Sequence, residues 1–182
     1  LAIDAANEMK IDSIMIPNFG ENRLREEIHI ENTIEALKFV CERAEKKGIT
    51  VMTENPLSWD RQIEILEAVG ADNLKIHYDS QNMKYNWDLD QCQQLQNLYP
   101  YMAKQLHVKD GNAKPEPAGS RALGEGNTDF FKQMELLKDL GYEGWIITEN
   151  YYCQPAIRND AVRNSQWEVF LRDLETLKKI FE

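Results

Sequence analysis

Short apolar runs alternate with helix-spaced apolar stripes along most of this chain, and four of the runs end on a polar, metal-competent residue. Ser13–Pro17 is a five-residue apolar segment closed by a turn-forming Asn-Phe-Gly-Glu-Asn stretch, and it reads as a strand. Residues 32–47 carry Ile34, Leu37, Val40, Cys41 and Ala44 at the spacing of one helix face, with Gly48 placed to end it. A strand over 49–53 follows. Ser58 is the expected N-cap of a helix with Ile63, Leu66 and Val69 on one side and Gly70 at its end. A strand over 74–78 precedes a helix capped by Asp88 and carrying Leu89, Cys92, Leu95 and Leu98. Tyr99-Pro100 breaks that helix before an apolar segment around His107. Residues 112–126, rich in proline and glycine, read as a long loop. A helix with Phe130, Phe131, Met134, Leu137 and Leu140 comes next, then a strand over 144–148. A last helix from about Asn159 carries Val162, Phe170, Leu174, Leu177 and Ile180.

The pattern is a helix followed by five strand-helix units, which implies a parallel sheet covered by helices. An open doubly wound sheet collects its ligand at one switch point. Here Glu54, Asp79, His107 and Glu149 fall one to a strand, at or just beyond the C-terminal ends of four consecutive strands. They converge only if the sheet curls about an axis, which favours a (β/α)8 TIM barrel. Such a barrel takes about 250 residues, and this chain has 182. The expectation is therefore a single α/β domain over 1–182 that holds the C-terminal five units of an incomplete barrel lacking its N-terminal units. On that reading Ser13–Pro17 and the last strand present unpaired sheet edges.

Three carboxylates and one imidazole suit Mn²⁺, Mg²⁺, Co²⁺ or Zn²⁺ better than a thiophilic metal. Glu54, Asp79, His107 and Glu149 are thus the expected ligands of one divalent ion. Composition narrows the partners. With 21 basic and 31 acidic residues the net charge is -10, which disfavours nucleic acid and anionic membranes. No apolar run reaches the ~20 residues that span a bilayer, and the expected location is the cytoplasm. Three scattered cysteines suggest neither a disulfide framework nor a zinc ribbon.

The stretches Thr53-Glu54-Asn55, Tyr78-Asp79-Ser80-Gln81-Asn82, His107-Val108-Lys109-Asp110, Leu123-Gly124-Glu125-Gly126 and Ile147-Thr148-Glu149-Asn150 resemble the xylose isomerase-like sugar isomerase and epimerase family. The resemblance implies a TIM barrel with one divalent metal on Glu54, Asp79, His107 and Glu149, acting on a sugar or sugar phosphate. It also implies that Glu54 and Glu149 are the catalytic pair that moves a proton next to a carbonyl, giving an isomerase or epimerase. A dehydratase of a keto-inositol-like substrate, or a non-catalytic sugar- or protein-binding barrel fragment, are the alternatives. Ketose 3-epimerases of the family carry histidine where this chain has Asn82, a candidate substrate contact.

Other candidate substrate contacts are His77, which shares Asp79's strand face, Lys109 and Arg121. Lys109 either neutralises an anionic substrate or pairs with Glu149 or Asp79. Arg121 either closes over the substrate or is a solvated loop residue. Gly111, Gly119, Gly124 and Gly126 fall where barrels often bind phosphate. The small-molecule partner is a sugar or sugar phosphate, and a homo-oligomer is compatible with this reading.

Overall fold

The computed structural model describes residues 1–113, 119–152 and 166–182. These form two compact units, one of residues 1–77 with 100–103, the other of 78–99 with 104–182.

In the first unit, α1 (Ala2–Met9) precedes a parallel sheet of β1 (Ser13–Pro17), β2 (Thr50–Glu54) and β3 (Leu74–Ile76), in that order. The register runs from Ser13 opposite Thr50 to Pro17 opposite Glu54. Helices α2 (Glu27–Glu45) and α3 (Trp59–Val69) are the crossovers that parallel pairing requires. Their buried residues join the sheet in one core that includes Leu37, Cys41, Ala44, Val51, Ile65 and Leu74. Ser58 and Gly70 stand at the N- and C-caps of α3, as the pattern predicts, and Gly70 adopts φ 68°.

Helix α2 starts at Glu27, five residues before the predicted segment 32–47. Its start is fixed by a capping box in which the Glu26 side chain accepts the His29 amide and the His29 ring accepts the Glu26 amide. Neither residue contributes to a hydrophobic periodicity, so the pattern alone set the boundary too late.

In the second unit, β4 (Gln105–Val108) pairs in parallel with β7 (Trp145–Thr148). Helices α5 (Gln91–Leu98), α6 (Phe130–Asp139) and α7 (Gln166–Phe181) carry the unit's buried apolar faces. Two features depart from the pattern. A short helix, α4 (Asn82–Trp87), fills what reads as loop, and its C-cap Asp88 takes a left-handed φ of 57°. Asp90, not Asp88, therefore caps α5, its carboxylate accepting the Gln93 amide at 2.9 Å. At the start of the predicted loop and inside it, β5 (Asp110–Asn112) and β6 (Gly119–Arg121) form an antiparallel pair.

Within their sheets β1 and β7 are terminal strands. Trp145 is 76% exposed on β7. The predicted start of the last helix, with Val162, and Cys153 lie outside the described residues. No helix among the described residues is long and apolar enough to cross a membrane.

Candidate functional site

Three of the four predicted ligands meet in the second unit. Ligand atoms of Asp79, His107 and Glu149 lie within 4.8 Å of one another. Each is delivered by backbone pairing. The His107 amide donates to the Tyr78 carbonyl at 2.9 Å, and the Ser80 amide donates to the His107 carbonyl at 3.2 Å, so Asp79 lies beside His107 although β3 has ended at Ile76. Glu149 is the residue after β7, with its amide bonded to the Val108 carbonyl at 2.9 Å.

Asp79 is 2% exposed and its Oδ1 accepts the amides of Gln81 (2.8 Å) and Asn82 (2.7 Å) at the start of α4. That fixes the carboxylate and turns Oδ2 toward Lys109 Nζ, 3.0 Å away. The His107 ring presents Nδ1 3.5 Å from Glu149 Oε2. Glu149 is the open member of the group, its side chain 39% exposed.

Lys109 is buried and its ammonium contacts Asp79 and Glu149 together. Burial alone pulls its pKa down, but the two carboxylates more than reverse this, and the group is held above the ordinary lysine value. The ion pair that the sequence allows for Lys109 is present, to both Asp79 and Glu149. A divalent ion suits this donor set: two carboxylates and an imidazole fall within one coordination sphere, and the lysine balances part of their charge.

Glu54 and His77 belong to the first unit. Glu54 ends β2, is 4% exposed, and has a ligand atom within 4.8 Å of one on His77. The His77 amide donates to the Thr53 carbonyl at 2.9 Å. Asn82 is buried at the start of α4. Arg121, at the end of β6, directs its guanidinium to the Ser120 carbonyl at 3.2 Å.

The glycine-rich stretch serves an internal carboxylate. Asp110 Oδ1 accepts the Gly111 amide (2.8 Å) and the Thr128 hydroxyl (2.7 Å), while Oδ2 accepts the amides of Gly124 and Gly126, both at 2.9 Å. Amides that a phosphate would need are thus already donated to Asp110. Burial raises the Asp110 carboxyl above its usual range, with those four donors pulling the other way.

Asp110 connects to the site through Asn150. Asn150 Oδ1 accepts the Asp110 amide at 3.1 Å, and its Nδ2 donates to Asp173 Oδ2 at 2.8 Å. Asp173 on α7 also accepts the Leu123 amide (2.9 Å) and the Tyr152 hydroxyl (2.9 Å). The residue that follows Glu149 is therefore clamped from two sides. Neither aspartate was singled out from the sequence as a site residue. Asp173 did carry a signal: it lies four residues after Val169 and four before Leu177, on the buried face of its helix.

The sequence profile of the family described as a xylose isomerase-like TIM barrel matches residues 1–175. The 2-epi-5-epi-valiolone 7-phosphate 2-epimerase of Actinoplanes sp. is 29% identical over 135 residues, covering 74% of this chain. The chain spans about half the length of that curated relative, 49%. The crystal structure of a xylose isomerase domain protein from Planctomyces limnophilus superposes with a TM-score of 0.78 at 19% identity, covering 98% of this chain and 61% of that one. A xylose isomerase-like TIM barrel protein from Mycobacterium smegmatis, in complex with magnesium, gives 0.73 at 15% identity, covering 100% of this chain and 66% of that one.

Proposed function

We propose, because this chain belongs to the xylose isomerase-like TIM barrel family, that it supplies the C-terminal five units of a barrel whose reaction is a divalent-metal-dependent sugar isomerisation or epimerisation. The observation that carries this is the convergence of Asp79, His107 and Glu149 within 4.8 Å. Glu54, the first of the four strand-end residues in sequence order, is proposed to complete the ligand set. Support for a polyol substrate comes from the epimerase relative, and support for the metal from the magnesium complex of the Mycobacterium smegmatis protein.

A bound divalent ion would stabilise the negative charge that develops on oxygen when a proton leaves the carbon beside a carbonyl. The chain's own groups do the rest. In the proposed cycle, Glu54 or Glu149 accepts the proton from that carbon, and the other glutamate delivers one. Delivery to the same carbon from the opposite face is epimerisation, and delivery to the neighbouring carbon is isomerisation. Glu149 suits this part, since it is the exposed carboxylate of its group. Asp79 is buried and held by two amides, so it is suited to holding a ligand position. Lys109 limits the repulsion between Asp79 and Glu149.

The test is elemental analysis of the purified protein and of Glu149→Gln after dialysis, with substrate-proton exchange from heavy water followed on candidate ketoses. A divalent ion at about one per chain, diminished in the variant and accompanied by exchange at a single carbon, is expected. Protein that takes up neither Mn²⁺, Co²⁺, Mg²⁺ nor Zn²⁺ would overturn the reading.

A further inference from the structure

A second concavity lies in the first unit, past the C-terminal end of β1. It has a volume of about 300 Å³ and is lined by residues that include Asn18, Asn22, Arg23, His29, Asn32 and Thr33. This is at the lower end of the size of small-molecule sites. It adjoins the strand end that carries Glu54, because the Asn18 amide donates to the Glu54 carbonyl at 2.8 Å and the Thr53 hydroxyl reaches Asn18 Oδ1 at 3.4 Å.

The lining is rich in donors. Arg23 is half-buried, its Nε is shielded from solvent, and that atom has no hydrogen-bond partner among the described residues. A guanidinium is always charged, and a buried N–H of one is costly to leave unpaired. His29 Nδ1 accepts the amides of Arg25 (3.4 Å) and Glu26 (3.3 Å), so the proton of the neutral ring sits on Nε2, which is then a donor. Three side-chain amides and the Thr33 hydroxyl add further donors. The N-terminus of α2 is not the anchor, since Glu26 already accepts the His29 amide. Glu21 also lines the pocket and opposes an anion, but it is exposed on a 3-10 turn, where solvent weakens its charge.

We propose that this pocket binds the phosphate group of a phosphorylated polyol, with Arg23 as its charge partner. The assignment deepens the proposed function and rests on it for the polyol part of the substrate. Phosphate recognition itself requires neither metal nor turnover. It falls to Arg23 in the first unit, not to the Gly124-Glu125-Gly126 turn.

Titration calorimetry on the full chain, with a chelator present, tests this using inorganic phosphate, glycerol 3-phosphate, acetate and glycerol. Both phosphates are expected to bind, and acetate and glycerol not to. Arg23→Gln should weaken phosphate binding by about tenfold or more, Arg23→Lys by less, and Glu21→Gln should strengthen it about twofold. Equal thermal midpoints for the variants and the parent confirm that folding is intact. Glu149→Gln should bind the phosphates normally while losing metal, which separates failure of this proposal from failure of the metal-site reading. Phosphate binding unchanged in Arg23→Gln, equal binding of glycerol and its phosphate, or no phosphate binding by the parent chain would each overturn the assignment. Acetate bound as tightly as phosphate would reassign the pocket to carboxylates and overturn it as well.

Discussion

Asn150 Nδ2 donates to Asp173 Oδ2 at 2.8 Å, and through this bond the last helix holds the residue that follows Glu149. Asp173 is fully buried and also accepts the Leu123 amide and the Tyr152 hydroxyl. Asp173→Ala leaves three donors without their acceptor in a buried place. A loss of about 3 kcal/mol in stability is expected by urea denaturation. Asp173→Asn, which keeps one acceptor oxygen, should lose less.

Asp110 gives a pH dependence of defined sign. Its carboxyl is raised in the folded chain above the ordinary value of 3.8, mainly by burial. A raised folded-state pKa favours the protonated form of the native state. The stabilising contribution is therefore fully present below the unfolded value and is lost as pH rises through the folded one. Asp110→Asn should flatten this part of the stability profile, measured as urea midpoints on both sides of the carboxylate range.

Gly126 is required by the same carboxylate. A Cβ on it would meet the Gly111 carbonyl oxygen at 2.5 Å and the Gly111 nitrogen at 2.6 Å, besides striking Asp110 itself. Neither backbone contact can yield without opening the turn. Gly126→Ala is expected to cost about 2 kcal/mol, seen as a lowered thermal midpoint and faster amide exchange at Gly124 and Gly126.

Lys109→Met removes the ammonium that Asp79 and Glu149 share. The metal-free variant should lose about 3 kcal/mol, because two carboxylates are left facing each other without a cation. Added Mn²⁺ should then raise the thermal midpoint of the variant more than that of the parent, and chelator should reverse the rise. An equal response of both proteins would show that Lys109 does not balance the charge of the ligand set.

A fifth test concerns Cys41, whose thiol is pushed up to about 11 by burial in the core of the first unit. It should resist iodoacetamide at pH 8 in the folded chain and react only after unfolding, followed by mass spectrometry. Because its folded pKa is raised, the stabilising contribution is complete below the ordinary thiol value of 9.0 and is lost as pH rises through about 11.

Local pattern carried a good deal of this protein. Strand β1 has the predicted bounds, α3 has its predicted caps, and the strand ends were read closely enough to bring out Glu54, Asp79, His107 and Glu149. These are legible because hydrophobic period and capping chemistry act over a few residues. Family membership, too, was readable from motifs and their order.

The tertiary structure decided what depends on bonds between distant positions. That Asp79 and Glu149 stand on either side of the Lys109 ammonium is a product of folding, since they lie 30 and 40 residues away in sequence. The glycines around Gly124 fall where barrels often bind phosphate, and only folding brings Asp110 to the amides of Gly124 and Gly126. Asp173 is 50 residues from the amide of Leu123 that it accepts. No local pattern encodes such a pairing; a buried polar group takes whichever partner the fold brings within about 3 Å.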